Sequence, residues 1–196
     1  MSLSKEPAAD PHRLEFFRRW LRDPFNVAAV APSGRMLARR MALGIGADFT
    51  VVELGAGTGT LTRAILAARV QEQNLHLVER DSDFVAILER EFPVARIHRG
   101  NAESADALLP ELVGHVDCVV SGLPILWFDR GKKAAILESA FRLLRPGGFF
   151  QQFTYLGKPP VSRSLRRELG LDARLVGVAP INLPPAFVYR FSRLAA

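Results

Sequence analysis

The run Val51-Val52-Glu53-Leu54-Gly55-Ala56-Gly57-Thr58-Gly59 constrains this chain more than any other. An apolar stretch of strand length stops at three glycines in alternate positions, and Thr60 onward has the pattern of a helix. Glycine lets a backbone bend sharply and come close to a ligand where a Cβ would collide. The helix that follows aims its first N–H groups, which lack partners within the helix, at the same bend. A strand-turn-helix of this kind holds a nucleoside-bearing ligand, and it sets the period of the chain around it.

Strands expected over 50–54, 74–79, 94–99, 116–121 and 148–155 alternate with helices over 60–69, 82–91 and 131–144 and a short helical segment near 103–109. A basic helix over 161–169 follows, then strands near 173–178 and 186–192, close enough for an antiparallel hairpin. Strict alternation predicts an α/β architecture, a parallel sheet with helices on both faces. Upstream, helices over 12–23 and 33–43 give an N-terminal helical extension, residues 1–46, ahead of a domain spanning 47–196.

A chain of 196 residues is the size of one domain with a substantial core. The single cysteine, Cys118, lies in an apolar run; it rules out a disulfide framework or a cysteine-pair metal site and reads as a small core residue. The acids are scattered and no histidine pair has ligand spacing, so no metal is expected. A formal charge of +6 suggests a polyanionic partner, either nucleic acid or an anionic lipid surface. No run approaches the ~20 apolar residues of a spanning helix, and the first residues lack the apolar core of a signal peptide. The expectation is a cytoplasmic protein associated peripherally with the inner face of the membrane.

Ligands of an open parallel sheet sit beyond the carboxyl ends of its strands. Glu53, Gly55, Ala56, Gly57, Thr58 and Gly59 follow the first strand. Glu79 and Arg80 end the second, where the Glu79 carboxylate is placed to accept from ribose hydroxyls. Gly100, Asn101 and Ala102 follow the third, where a side-chain amide suits an adenine edge, and Ser121 and Gly122 follow the fourth. The spacing is Glu-x-Gly-x-Gly-x-Gly, not the Gly-x-Gly-x-x-Gly of dinucleotide sites. An acid beside the glycines repels a pyrophosphate but not a cation. S-adenosylmethionine carries a sulfonium and an ammonium and no phosphate, and it suits that charge.

Together these residues resemble the class I S-adenosylmethionine-dependent methyltransferases. The resemblance implies a Rossmann-like, seven-stranded, mostly parallel sheet with an antiparallel last strand. It also implies that the glycine loop cradles the methionine part, that Glu79 binds ribose, and that Asn101 and Ala102 flank adenine. Asn101 stands where that family commonly has aspartate. The stretch Leu143-Leu144-Arg145-Pro146-Gly147-Gly148 resembles the family's turn into its fifth strand. A narrower resemblance runs nearly the whole chain. Phe16-Phe17-x-x-Trp20-Leu21-x-Asp23-Pro24, Val30-Ala31-Pro32-Ser33, Ser121-Gly122-Leu123-Pro124 and Gln152-Phe153-Thr154-Tyr155 are similar to bacterial phospholipid N-methyltransferases. Those enzymes methylate phosphatidylethanolamine toward phosphatidylcholine. Ribosomal RNA adenine dimethylases share the first motif but carry Asn-Leu-Pro-Tyr after the fourth strand. Gly122-Leu123-Pro124-Ile125 here lacks the aromatic that would stack on a flipped base.

At about 100° per residue, Leu14, Phe16, Phe17, Trp20 and Leu21 share an arc of about 160°. Arg18, Arg19 and Arg22 lie on the other side. That pattern suits a helix lying in a lipid interface, or equally one packed as a lid over the cofactor cleft. Arg163, Arg166 and Arg167 form a second basic group suited to lipid phosphates. Tyr155, expected at the carboxyl end of the fifth strand, is the residue to orient or deprotonate an amine. Ser121 and the carbonyls of Gly122 and Leu123 are placed to accept from that amine. Two alternatives stand beside phosphatidylethanolamine methylation: methylation of ribosomal RNA adenine or a small-molecule amine, and a non-catalytic cofactor-binding protein that remodels membranes.

Overall fold

The computed structural model describes residues 32–182 and 184–194. The aromatic and arginine-rich segment 12–23 therefore lies outside the described residues, and so do its interface residues Phe16, Phe17, Arg18, Arg19, Trp20 and Leu21. One sheet contains β1 (Val51–Leu54), β2 (Leu75–Glu79), β3 (Arg96–Arg99), β4 (Val116–Ser121), β5 (Leu144–Thr154), β6 (Leu171–Ala179) and β7 (Ala186–Arg193). Its order is β3-β2-β1-β4-β5-β7-β6. Strands β1 to β5 pair in parallel, and β7 runs antiparallel between β5 and β6. The seven-stranded, mostly parallel sheet expected from the alternation is present.

Helices cover both faces because successive strand residues point in opposite directions. Val51, Leu75, Leu77 and Cys118 pack with α1 (Pro32–Met41), α2 (Thr60–Ala67) and α3 (Ser82–Glu91) through Leu37, Met41, Leu61, Ile65 and Leu88. Val52, Leu54, Val119 and Phe150 face the other way. They pack with α4 (Ala105–Leu108), α5 (Arg130–Leu143) and α6 (Arg163–Glu168) through Ile136, Leu137, Ala140 and Leu165. The Cys118 thiol is buried at the centre, and burial pushes its pKa up. Chain order reverses between β1 and β4, which opens the crevice where ligands of such sheets bind.

Several boundaries differ from expectation, β3 starting at Arg96 and not at 94, and two of the differences have a clear physical reason. β5 starts at Leu144, directly after α5, and not at 148. Leu144 pairs with Val116, and the ladder resumes at Phe149 opposite Cys118. The Arg145-Pro146-Gly147-Gly148 segment bulges between them, held by Arg145 Nε donating to Asp117 Oδ1 at 2.6 Å. β6 extends to 171–179 because it pairs with β7 along its whole length, with a shift between Leu175 and Gly177.

The C-terminal end of α1 is fastened to the sheet by one polar cluster. Gln151 is fully buried on β5 and donates to the Met41 carbonyl at 2.5 Å. Arg190 on β7 donates to Gln151 Oε1 through Nε at 3.0 Å and Nη2 at 2.7 Å, and to the Leu43 carbonyl at 2.8 Å. Its guanidinium lies 3.7 Å from the centre of the Phe149 ring. Removing Arg190 leaves the Gln151 side-chain carbonyl and the Leu43 carbonyl without the donors it supplies. Arg190→Ala is expected to cost roughly 2–3 kcal/mol, read as a lower urea midpoint with an unchanged slope.

Candidate functional site

Four parallel strands, β3, β2, β1 and β4, end side by side at the crevice, and their ladders run on into the turns. Gly55 N–H donates to the Val78 carbonyl at 2.8 Å, Gly100 N–H to Glu79 at 3.0 Å, and Gly122 N–H to Leu54 at 2.9 Å. The cofactor candidates expected after the first, second, third and fourth strands are thereby brought to one edge of the sheet. Tyr155 reaches the same edge at the end of β5, half-buried and edge-on to Phe153 with ring centres 5.6 Å apart.

The three glycines serve different ends. At Gly57, φ is +53° and an added Cβ would meet nothing within 4 Å, so its backbone faces open space. At Gly59, φ is +76° and a Cβ would lie 2.5 Å from Phe92, so close helix packing demands the glycine there. A Cβ on Gly122 would lie 2.9 Å from the Gly55 carbonyl oxygen, which brings the turn after β4 hard against the glycine turn. Ala56 is buried between these turns, and Thr58 is half-buried.

Glu79 ties the site together. Its Oε2 accepts from Gly57 N–H at 3.0 Å, and its Oε1 accepts from Arg80 N–H at 2.8 Å and Asp81 N–H at 3.0 Å. The side chain of Arg80 points outward and is exposed, as is Asn101, while Ala102 is buried.

Glu53 lies beneath the turn, fully buried. Its Oε2 accepts from Thr62 Oγ1 at 2.7 Å, but its Oε1 has no partner. Burial raises its pKa from 4.5 to about 8, against the lowering effect of the Thr62 hydrogen bond. The acid beside the glycines is therefore neutral at pH 7 when nothing positive is near it.

Other expectations find different places. Ser121 is fully buried, and its Oγ accepts from Leu123 N–H at 3.3 Å. The buried hydroxyl braces the turn from beneath. Gln152, which lies opposite Ser121 in the ladder, braces the other side by donating to the Leu123 carbonyl at 2.9 Å. Sequence spacing offered no signal for that pair. Arg163 and Arg167 are exposed on α6, while Arg166 is half-buried. His76, which shows no evident partner in the sequence, meets His98 across β2 and β3 with Nδ1 and Nε2 3.2 Å apart. Burial and the neighbouring His98 lower the His76 pKa to about 4, so this pair is a neutral structural contact away from the crevice. No group of three His, Cys, Asp or Glu side chains among the described residues is arranged to hold a metal.

A Rossmann-like sheet with a glycine turn at its switch point is the architecture of S-adenosylmethionine-dependent methyltransferases. The chain belongs to the methyltransferase domain family, which it matches over residues 51–148, and its cofactor is S-adenosylmethionine. It is 29% identical to an ornithine lipid N-methyltransferase of Singulisphaera acidiphila, covering 89% of this chain and 92% of that one. It is 36% identical to the ribosomal RNA small subunit methyltransferase A of Myxococcus xanthus, over 52% of this chain and 37% of that one. In fold it is similar to the 1,6-didemethyltoxoflavin-N1-methyltransferase of Burkholderia thailandensis. That structure, with bound 1,6-didemethyltoxoflavin and S-adenosylhomocysteine, matches at a TM-score of 0.67 and 17% identity over 97% of this chain and 93% of that one.

The buried Glu53 makes stability depend on pH. Its folded pKa lies above its unfolded value of 4.5. Between pH 4.5 and 8 the folded state holds a proton that the unfolded chain releases, so stability falls as pH rises through that window. The loss amounts to roughly 3–5 kcal/mol across the whole window. Glu53→Gln removes the titration. Calorimetry of the cofactor-free protein is expected to show the wild-type midpoint falling from pH 5 to pH 8.5 more steeply than the variant's.

Proposed function

We propose that the chain transfers methyl groups from S-adenosylmethionine to the amine of a membrane lipid headgroup, phosphatidylethanolamine toward phosphatidylcholine, at the membrane surface. The observation that carries this reading is the extent of the likeness to the ornithine lipid N-methyltransferase, which spans nine-tenths of both chains. The likeness to the ribosomal RNA enzyme covers little more than a third of that protein. Ile125, at the position where the RNA enzymes carry a stacking tyrosine, is fully buried in the core beneath the turn. A base flipped into the crevice finds no aromatic face there.

The residues present fit the cofactor. The unpartnered Oε1 of Glu53 is a buried acceptor that a nearby cation would drive to its ionised form. The open space over Gly57 admits a ligand against the backbone. Glu79 keeps an acceptor direction on Oε2 for a ribose hydroxyl, and the exposed amide of Asn101 suits an adenine edge. When bound, the cofactor supplies a methyl carbon already activated by its sulfonium.

The protein's share of the reaction is alignment, exclusion of water and management of one proton. An ethanolamine headgroup is an ammonium near neutral pH, and its nitrogen has a lone pair only after that proton leaves. Tyr155 stands at the edge where such a headgroup would lie and is the residue to orient it through its hydroxyl or, once the phenol has lost its own proton to water, to take the ammonium proton. The Gly122 carbonyl is left to accept one of the remaining N–H groups, since the Leu123 carbonyl already accepts from Gln152 at 2.9 Å and from Ile125 N–H at 2.8 Å. Ser121 accepts from the Leu123 N–H, which shares a peptide with the Gly122 carbonyl, and Gln152 holds the next peptide, so the Gly122 carbonyl keeps one direction.

Two measurements test this reading. Protein incubated with radiolabelled cofactor and detergent-dispersed total lipid is expected to place label in methylated phosphatidylethanolamine on chromatography. Label in ribosomal RNA and none in lipid would reverse the conclusion, and label in an ornithine lipid would move it to another headgroup. Separately, Glu79→Ala is expected to weaken cofactor binding in a titration by about 1–3 kcal/mol. Unaltered affinity would remove Glu79 from the cofactor site.

A further inference from the structure

The edge of the sheet that carries the crevice also carries large apolar side chains that remain exposed to solvent. Trp127 is 55% exposed, Leu156 40% and Ile181 63%. They stand on three separate connections: the turn after β4, the segment between β5 and α6, and the loop between β6 and β7. β7 is antiparallel to both β5 and β6, so β6 runs parallel to β5. All three connections therefore leave the sheet on the side of the glycine turn. β4, β5 and the β6–β7 hairpin are neighbours in the sheet, so the tips form one rim beside the crevice.

The charge around this rim is mainly positive: the connection after β4 carries one exposed acid, Asp129, next to the exposed Arg130. The segment 155–163 contains Lys158 and Arg163 and no acid, and the loop 180–185 has no charged residue at all. From Ser139 to Leu194 the only acids are Glu168 and Asp172. Lys158 and Arg163 are exposed.

We propose that this rim is a docking face for an anionic phospholipid bilayer. Trp127, Leu156 and Ile181 enter the interfacial layer, and Lys158 and Arg163 lie against lipid phosphates. The proposal rests on the lipid reading above and adds to it the surface of the folded domain that meets the membrane. An indole prefers the boundary between headgroups and acyl chains, and aliphatic tips beside cations match a layer that is apolar inside and negative at its surface. A protein partner would have to mould itself to three separate tips, whereas a fluid interface takes them up one by one. Single-stranded RNA would call for a run of aromatic platforms along a basic groove, and here aliphatic and proline side chains predominate. Among the described residues no helix is long and apolar enough to cross a membrane, so the contact is with the surface. Docking by this edge turns the crevice toward the headgroups.

The test uses the full chain with Trp20→Phe, which leaves Trp127 as the only tryptophan. It is mixed with vesicles of equal parts phosphatidylcholine and phosphatidylglycerol, with or without brominated acyl chains. The Trp127 emission is expected to shift blue and to be quenched by the bromines. Protein that floats with the vesicles while its emission stays unchanged would overturn the proposal, because residues outside this face then carry the binding. In a second arm, Leu156→Glu with Ile181→Glu is expected to lower vesicle partitioning about tenfold while leaving the thermal midpoint and cofactor affinity in place. Equal partitioning by that variant would also overturn it, as would retention of RNA in a gel without any binding to vesicles. Wild-type protein is assayed in parallel on detergent-dispersed phosphatidylethanolamine. Methylation there with an unshifted Trp127 sinks the docking face alone, whereas no methylated lipid sinks the reading beneath it.

Discussion

Three backbone N–H groups, from Gly57, Arg80 and Asp81, converge on the carboxylate of Glu79. They come from two turns that are distant in the chain and adjacent only because β1 and β2 pair in parallel. A carboxylate that collects donors in this way holds both turns in one shape, and charge-assisted hydrogen bonds are the stronger kind. The rest of the crevice follows from that shape. Gly57 is held with its backbone toward open space, Gly55 lies under Leu123, and Gly122 touches the Gly55 carbonyl.

Glu53 gives the same region a stored conflict. A carboxyl group with one hydrogen bond and one unpartnered oxygen is an expensive thing to bury. The protein meets the cost by letting the group hold a proton, which burial favours. A positive ligand placed nearby offsets the same cost by favouring the ionised form. A position that lowers the stability of the empty protein is therefore the position best suited to a cation.

The two faces of the sheet divide the work. On one, α1 is bound to β5 and β7 by the Gln151 and Arg190 cluster, which places the end of the N-terminal region against the domain's own core. On the other, α5 and α6 pack beneath the rim formed by the connections after β4 and β5. Gln152 and Ser121 hold the turn at Leu123 from within the sheet, so the rim can expose apolar side chains without loosening the crevice. The crevice is built on strand ends, and the exposed apolar side chains stand on the tips beyond them. Loops on a rigid scaffold can carry function in this way without disturbing the core.

The sequence by itself determined the alternating architecture, the glycine turn, the acid ending β2 and the charge preference of the ligand. These features are local: a hydrophobic period, a glycine spacing and a residue at a strand end are all read within a few positions. The tertiary structure alone decided where β5 begins, because Leu144 finds Val116 only once β4 and β5 align. It alone joined His76 to His98, buried Ser121 beneath its turn, and brought Arg190 to the carbonyl of Leu43 across 147 positions of chain. It also left one oxygen of Glu53 without a donor and gathered Trp127, Leu156 and Ile181 onto a single edge. Each of these depends on which distant groups become neighbours, and that is settled by strand order and helix packing, which a linear pattern constrains only as a whole.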